Sequence, residues 1–310
     1  MTGFGGPSAA CCAACPTWGK LRTASVFPGA YYAPVDVLVI GGSGFLGFEL
    51  IQRAQLAGHR VTATYHSSVP ADSAVQWRRL DIRRRHDVAA LAADTRPDVI
   101  INAAYRQTDW ETTADGAMHV ALAATAASAR LVHVSSDVVF SGNAPSYDER
   151  QLPDPVTPYG AAKAAAETAV KGITRAAVIA RTSLIIGDGG GSPPERLVHA
   201  LAAGTATGVL YTDQVRCPVH VTDLASALLE LAAAAATGIR HLAGGDAVSR
   251  YELGVLIAAR DGLDPARLPA GRAPADRPGP LDLRLDSTRT QAQLTTRLRG
   301  ARQFLALASR

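Results

Sequence analysis

Lysine is nearly missing from this chain of 310 residues. Only Lys20, Lys163 and Lys171 occur, so 28 of the 31 basic side chains are arginines. Cysteine is scarce as well. Of four, Cys11, Cys12 and Cys15 fall close to the N-terminus and Cys217 stands alone. Cys12 and Cys15 have the spacing of a metal or redox pair, but no second pair and no His-x-x-x-His follows. A four-ligand zinc site is therefore unsupported, and nothing supports a metal site built by the protein. No uninterrupted apolar run of about 18 residues occurs, because Glu230 breaks the longest alanine–leucine stretch, which argues against a membrane-spanning helix. The N-terminal segment lacks a basic start and a strong apolar centre, so a secretory signal is not expected. A soluble, cytoplasmic protein is the expectation.

What is present is an ordinary globular composition: 47% hydrophobic and 19% charged residues, with 59 alanines. That suffices for one sizeable core plus a smaller lobe. The net charge of +4 is modest. Its densest basic run, Arg78, Arg79, Arg83, Arg84 and Arg85, has only Trp77 as an aromatic neighbour and no nucleic-acid motif, so it reads as a solvated face.

Residues 1–34 show no periodicity and read as an unstructured extension, or as an over-long start assignment with Val35 as the true first residue. From Val35 onward, strands and helices alternate. Strands are expected at Asp36–Ile40, Arg60–Tyr65, Gln76–Leu80, Asp98–Asn102, Leu131–Ser135 and Ala177–Thr182. Helices are expected between them, including Thr112–Ala129 and Tyr159–Gly172. Such alternation predicts an α/β fold with a doubly wound parallel sheet. The expected division is a dinucleotide-binding domain over 35–187 with part of 220–245, and a smaller substrate-binding lobe over most of 188–310. The lobe begins in the loop-forming run Asp188 to Pro194.

Four groups of residues carry chemistry. First, Gly41, Ser43, Gly44, Phe45, Leu46 and Gly47 lie in a Gly-x-x-Gly-x-x-Gly turn between a strand and a helix. This is the Rossmann arrangement in which backbone approaches a pyrophosphate at a helix N-terminus. Second, the acid that would bind the ribose hydroxyls of NAD is missing after the second strand, where Tyr65, His66, Ser67 and Ser68 stand instead. NADP(H) is favoured over NAD(H) on that ground. Asp81 and Ile82 fit an adenine contact, with a strand-end cap as the alternative for Asp81. Third, the small side chains of Asn102, Ala103 and Ala104 let a cofactor lie against the end of the fourth strand, or serve helix packing. Fourth, Ser136 ends the fifth strand, and Tyr159 and Lys163 are four apart on one helix face. A phenol beside an ammonium is expected to have a lowered pKa and to act as proton donor and acceptor. A surface Tyr–Lys pair is the alternative. His133 and His220 read as core or capping residues.

From Val35 onward the chain resembles extended short-chain dehydrogenase/reductases. The segment Val134-Ser-Ser-Asp-Val-Val-Phe-Ser-Gly142, then Tyr147-Asp-Glu149, Pro158-Tyr-Gly-Ala-Ala-Lys163 and Glu167, is similar to dTDP-4-dehydrorhamnose reductases. Asp213-Gln214, Asp223-Leu-Ala225, His241-Leu-Ala-Gly244, Arg277-Pro278 and Leu285-Asp286 fit the same group. The resemblance implies NAD(P)H-dependent reduction of a keto-sugar, with Ser136, Tyr159 and Lys163 catalytic and a nucleotide-sugar as substrate. It implies that Asp137 and Val138 face the substrate, and it leaves room for a homodimer. Arg216, in a segment resembling that of nucleotide-sugar epimerases, would hold the substrate diphosphate, with a plain surface arginine as the alternative. Departures are Ser136 for threonine, Val138 for tyrosine, Ser141 for aspartate, Ala162 for serine, Ala166 for glycine and Thr113 for asparagine. Two other functions fit the resemblance: a nucleotide-sugar epimerase or dehydratase, and a non-catalytic NADP-binding regulatory subunit.

Overall fold

The first strand, β1 (Asp36–Ile40), is buried at four of five positions. Val37 and Val39 face one layer of helices, and Leu38 and Ile40 face the other. A strand covered on both faces reads as a continuous apolar run, which is why the parallel strands were visible in the sequence. The computed structural model of the protein describes residues 34–70, 74–276 and 278–306. The N-terminal extension, with Cys11, Cys12 and Cys15, and the side chain of Arg277 lie outside the described residues.

After β1 come α1 (Phe45–Leu56), β2 (Arg60–Tyr65), β3 (Gln76–Arg79), α2 (Arg85–Thr95) and β4 (Val99–Asn102). Next are α3 (Gly116–Ala126), β5 (Arg130–Ser136), α4 (Pro158–Ile173) and β6 (Val178–Thr182). The short strands β7 (Ile185–Ile186), β8 (Leu210–Tyr211), β9 (Val215–Arg216) and β10 (Val219–His220) surround α5 (Pro193–Ala203). The chain continues through α6 (Val221–Ala233), β11 (Gly238–Leu242), β12 (Val248–Ser249), α7 (Arg250–Arg260) and β13 (Ala270–Gly271).

Seven strands form one parallel sheet in the order β11-β6-β5-β4-β1-β2-β3. Helices α1 and α6 cover one face, and α2, α3 and α4 cover the other. The order reverses between β1 and β4, and that crevice at the carboxyl edge is where open sheets of this kind take their ligands. The fold is Rossmann-like, as the sequence predicted. β11 adds a seventh strand, which had not been read as one. Its sequence, Gly-Ile-Arg-His-Leu, has too few apolar positions to signal it. The expected helix Thr112–Ala129 is a π-turn, Glu111–Asp115, running into α3. Gly116 sits at the junction, where a Cβ would lie 2.7 Å from Ile82 Cδ1.

The third core cluster packs α5 against α7 through Val198, Leu201, Leu253 and Ile257. A fourth, with Phe140, Tyr147, Cys217, Leu283 and Leu285, joins the segment after β5 to the chain near residue 284. No described helix is long and apolar enough to cross a membrane.

Gly47 has no room for a side chain: a Cβ would lie 2.1 Å from the Gly41 carbonyl oxygen and 2.7 Å from Gly42 Cα. Gly47→Ala is expected to cost about 1–3 kcal/mol of stability through overpacking against rigid backbone, measured by urea unfolding.

Candidate active site

The turn from β1 into α1 is fixed by packing at three of its four glycines, among them Gly42, where a Cβ would lie 2.8 Å from Ala63 Cβ. Gly41 has φ +83°, and a Cβ there would lie 2.8 Å from the Ala104 amide nitrogen. Gly47 is bound by the contact described above. Gly44 differs, since its nearest prospective neighbour is the Gly41 carbonyl oxygen at 3.3 Å, and both Ser43 and Gly44 are exposed. Helix α1 has no side-chain cap and no acid in its first turn. Its leading N–H groups therefore present a positive end without an internal acceptor, which is suited to an anion. The turn is braced from β2: Gly41 N donates to Thr64 Oγ1 at 3.0 Å and Ser43 N to the Thr64 carbonyl at 3.3 Å. Leu46 points into the core. The Phe45 ring supports the glycine-rich loop after β7, where a Cβ on Gly187 would lie 2.6 Å from Phe45 Cζ.

Beyond the end of β2, His66 Nδ1 lies 3.1 Å from Ser67 Oγ, and His66 Nε2 lies 3.8 Å from Asp81 Oδ2. Asp81 is gripped by Arg83 through Nε at 2.9 Å and Nη2 at 2.7 Å, which holds its carboxyl at about 2. Asp81 also accepts from the Arg83 N–H. The bond from the Arg83 N–H is that of the strand-end cap, one of the two expected roles. Ile82 is buried, and its carbonyl lies 3.0 Å from His119 Nδ1. The sequence reading found no arginine beside His66. The fold supplies one, because β3 pairs with β2 so that Arg79 sits opposite Tyr65, and Arg79 Nε donates to the His66 carbonyl at 3.4 Å. Only the register of β3 could have revealed it.

Asn102 is buried. Its Oδ1 accepts from Ala104 N at 3.1 Å, and its Nδ2 lies 3.2 Å from His133 Nδ1. It thereby shapes the turn that carries Ala103 and Ala104 past Gly41. His133 is a core residue whose pKa is lowered by burial and then by Lys163. His220 is a capping residue, its Nδ1 accepting from Thr222 N.

Helix α4 starts where it does because Thr157 caps it and Pro158 occupies the first turn. Gly160 is required there, since a Cβ would lie 2.2 Å from the Val138 carbonyl oxygen. That close approach brings the first turn of α4, with Tyr159, against the turn that follows Ser136. One turn on, Lys163 is buried, with Nζ donating to the Val134 carbonyl at 2.9 Å and lying 5.2 Å from the centroid of the Tyr105 ring. Burial brings its pKa down to about 8, against the pull of Glu167. Tyr105 also flanks Tyr159, ring centroids 5.8 Å apart. The structure thus brings Ser136, Tyr159 and Lys163 together at the carboxyl end of β5. Tyr105, unremarked in the sequence, joins them from the end of β4.

Two expectations are corrected. The Tyr159 phenol was expected to be lowered. It is raised, first by burial, then by Tyr105 and by Asp137, with the Ser136 hydroxyl pulling the other way. The Lys163 ammonium gives one of its three N–H donors to the Val134 carbonyl and lies over the Tyr105 ring. Arg216, expected to hold a diphosphate or to lie on the surface, is buried. Its Nη1 donates to the carbonyls of Val215 and Leu281, its Nη2 to that of Pro280, and its Nε lies 3.7 Å from Asp137 Oδ2. The guanidinium is a strap for the chain around residue 280. Asp137 is buried too, and Val138 donates its N–H toward Ser136 Oγ at 3.5 Å.

Beneath the site, Glu167 accepts from Ser135 Oγ at 2.6 Å, and from Arg181 Nε at 2.9 Å and Nη2 at 2.7 Å. Arg181 also stacks on Phe140, 4.8 Å from the ring centroid.

Residues 35–308 match the family described as RmlD substrate binding domain. The chain belongs to this family. It is 32% identical over 261 residues to the dTDP-4-dehydrorhamnose reductase of Mycobacterium tuberculosis, across 79% of this chain and 82% of that protein. A crystal structure of a hypothetical dTDP-4-dehydrorhamnose reductase from Sulfolobus tokodaii superposes with a TM-score of 0.73. It is 29% identical, covering 85% of this chain and 96% of that one. The dTDP-4-dehydrorhamnose reductase of Bacillus anthracis in complex with NADP shares the fold, with a TM-score of 0.75 at 22% identity over 88% of this chain and 98% of that one.

Arg181→Met would leave the Glu167 carboxylate buried without its cation. A loss of about 3–5 kcal/mol is expected from breaking a buried pair on one side, measured by urea unfolding. Breaking the exposed Arg60–Asp36 pair is expected to leave the unfolding midpoint nearly unchanged.

Proposed function

We propose that this protein reduces a keto group on a nucleotide-linked sugar, with a nicotinamide dinucleotide as electron source. The observation that carries the proposal is the convergence of Ser136, Tyr159 and Lys163 at the carboxyl end of β5, beside the uncapped start of α1. The membership of the chain in the RmlD substrate binding domain family supports it.

The residues present fit such a cofactor. Ser43, Gly44 and the first-turn amides of Phe45, Leu46 and Gly47 take the diphosphate. Ala103 and Ala104 form the floor beside Asn102, and His66, Asp81 and Ile82 line the adenosine end. When bound, the dinucleotide supplies hydride to the carbonyl carbon. Tyr159 donates its proton to the developing alkoxide. Ser136 turns its hydroxyl to the same oxygen and stabilises the charge as it forms. Lys163, held by the Val134 carbonyl, orients the ribose and replenishes the phenol. Asp137 and Val138 border the substrate, and the α5–α7 lobe covers it.

NADP(H) is the preferred form. No carboxylate ends β2, and Arg79 lies by His66, where a 2′-phosphate would sit. The intact Ser136, Tyr159 and Lys163 count against the non-catalytic reading.

A panel of nucleotide-linked keto-deoxysugars, scored by NADPH oxidation, tests the reading. Tyr159→Phe is expected to fold, to bind NADPH, and to lose turnover by at least about 100-fold. Retained turnover overturns the assignment, and so does wild-type protein that carries NAD⁺ and consumes no added NADPH. NADPH is expected to bind more tightly than NADH by calorimetry, and Arg79→Ala to erase most of the difference.

A further inference from the structure

One buried carboxylate shapes the glycine-rich loop that rests on the start of α1. Glu195, in the first turn of α5, is fully buried. Its Oε2 accepts from the Ser192 N–H at 2.9 Å and the Gly187 N–H at 3.2 Å, and its Oε1 accepts from the Gly190 N–H at 3.3 Å. Arg260, at the end of α7, donates through Nη2 to Glu195 Oε1 at 2.6 Å and through Nη1 to the Gly187 carbonyl at 2.5 Å.

A helix cap explains only part of this. Ser192 and Glu195 form a capping box, which uses the Glu195 side chain for one bond, from the Ser192 N–H. The bonds from Gly187, Gly190 and Arg260 lie outside the box. A carboxylate without water is costly unless its oxygens are satisfied. Here most of the satisfying groups belong to the loop, so the carboxylate dictates the path of the loop backbone.

The loop touches the cofactor site through one ring. A Cβ on Gly187 would lie 2.6 Å from Phe45 Cζ, and one on Gly191 would lie 3.1 Å from Phe45 Cε2. Both ends of the loop therefore pack on the first residue of α1. On the other side, a Cβ on Gly190 would lie 2.9 Å from His199 Cε1. His199 Nε2 lies 2.6 Å from Asp261 Oδ2, and Asp261 Oδ1 accepts from Arg260 Nε at 2.7 Å. Within the loop, Asp188 Oδ1 lies 3.3 Å from His220 Nε2, which precedes α6. The loop is thus clamped between α5 and α7 on one side and the start of α1 on the other.

We propose that Glu195 is a positioning residue for the dinucleotide. Through the amides of Gly187 and Gly190 it holds the loop against Phe45, and so holds the first turn of α1 in the shape that receives the diphosphate. This rests on the reading of the cofactor site given above. Glu195 acts through the loop and exchanges no proton with cofactor or substrate.

Calorimetric titration with NADPH, and with adenosine 2′-phosphate for the adenosine end alone, is the test. In Glu195→Gln the NADPH dissociation constant is expected to rise about tenfold or more, the equivalent of one charge-assisted hydrogen bond. Adenosine 2′-phosphate has no diphosphate and is expected to bind as it does to the wild type. Phe45→Leu keeps the carboxylate and removes the ring. It carries the same expectations and decides the matter if Glu195→Gln fails to fold. Ser192→Ala breaks the cap alone, and is expected to lower the urea unfolding midpoint with NADPH affinity unchanged. NADPH affinity at the wild-type level in folded Glu195→Gln overturns the proposal. Equal weakening of both ligands, or equal weakening by Ser192→Ala, also overturns it, since either marks a general loss of structure. Selective weakening of NADPH, with no NADPH oxidation by the wild type in the sugar panel, would leave the role of Glu195 standing and remove the reductase reading.

Discussion

The hydrogen bond from Lys163 Nζ to the Val134 carbonyl is the tie on which the site depends. It fastens α4 to β5 from within, and the close passage of Gly160 past the Val138 carbonyl fastens the same helix one turn earlier. Tyr159 immediately precedes the first of those points and has little freedom there, against the turn that follows Ser136. A compact ammonium on a flexible stem can reach a single carbonyl in a narrow space, where a planar guanidinium could not. In a chain that uses arginine almost everywhere else, lysine is retained at this position.

The support beneath is electrostatic and dry. Glu167 and Arg181 form a buried ion pair, with Ser135 completing the carboxylate's partners. Such a pair adds little net stability, since desolvation offsets attraction. Its geometry nonetheless fixes the ends of β5 and β6 relative to α4. Asp137 stands at the other side of the β5 terminus with Ser183 and Arg216. Ser136 and Lys163 are thus held between two buried carboxylates, Glu167 below Lys163 and Asp137 behind Ser136.

Much of this was legible in the sequence. The apolar runs of β1, β4 and β6 are buried on both faces, so composition alone exposed them. The glycine turn, Ser136, Tyr159 and Lys163 sat in motifs with fixed spacing. What stayed hidden depends on register or on contacts distant in the chain. Arg79 reaches His66 only because β3 pairs with β2. Tyr105 joins Lys163 through a turn shaped by Asn102. Arg216 fitted a ligand arginine or a surface one, but two of the three carbonyls that hold it come from a segment some 65 residues later. The raised phenol was also invisible, since burial has no signature in spacing.

The central claim is that hydride passes to a sugar carbonyl while Tyr159 supplies the proton. Its most direct test is isotopic: NADPH deuterated at the transferable position is mixed with a nucleotide-linked keto-deoxysugar, and the product is analysed by mass spectrometry and NMR. The account predicts deuterium on the newly formed carbinol carbon of the sugar in wild-type protein and none in Tyr159→Phe. A product without deuterium on that carbon, or equal labelling in the variant, would contradict it.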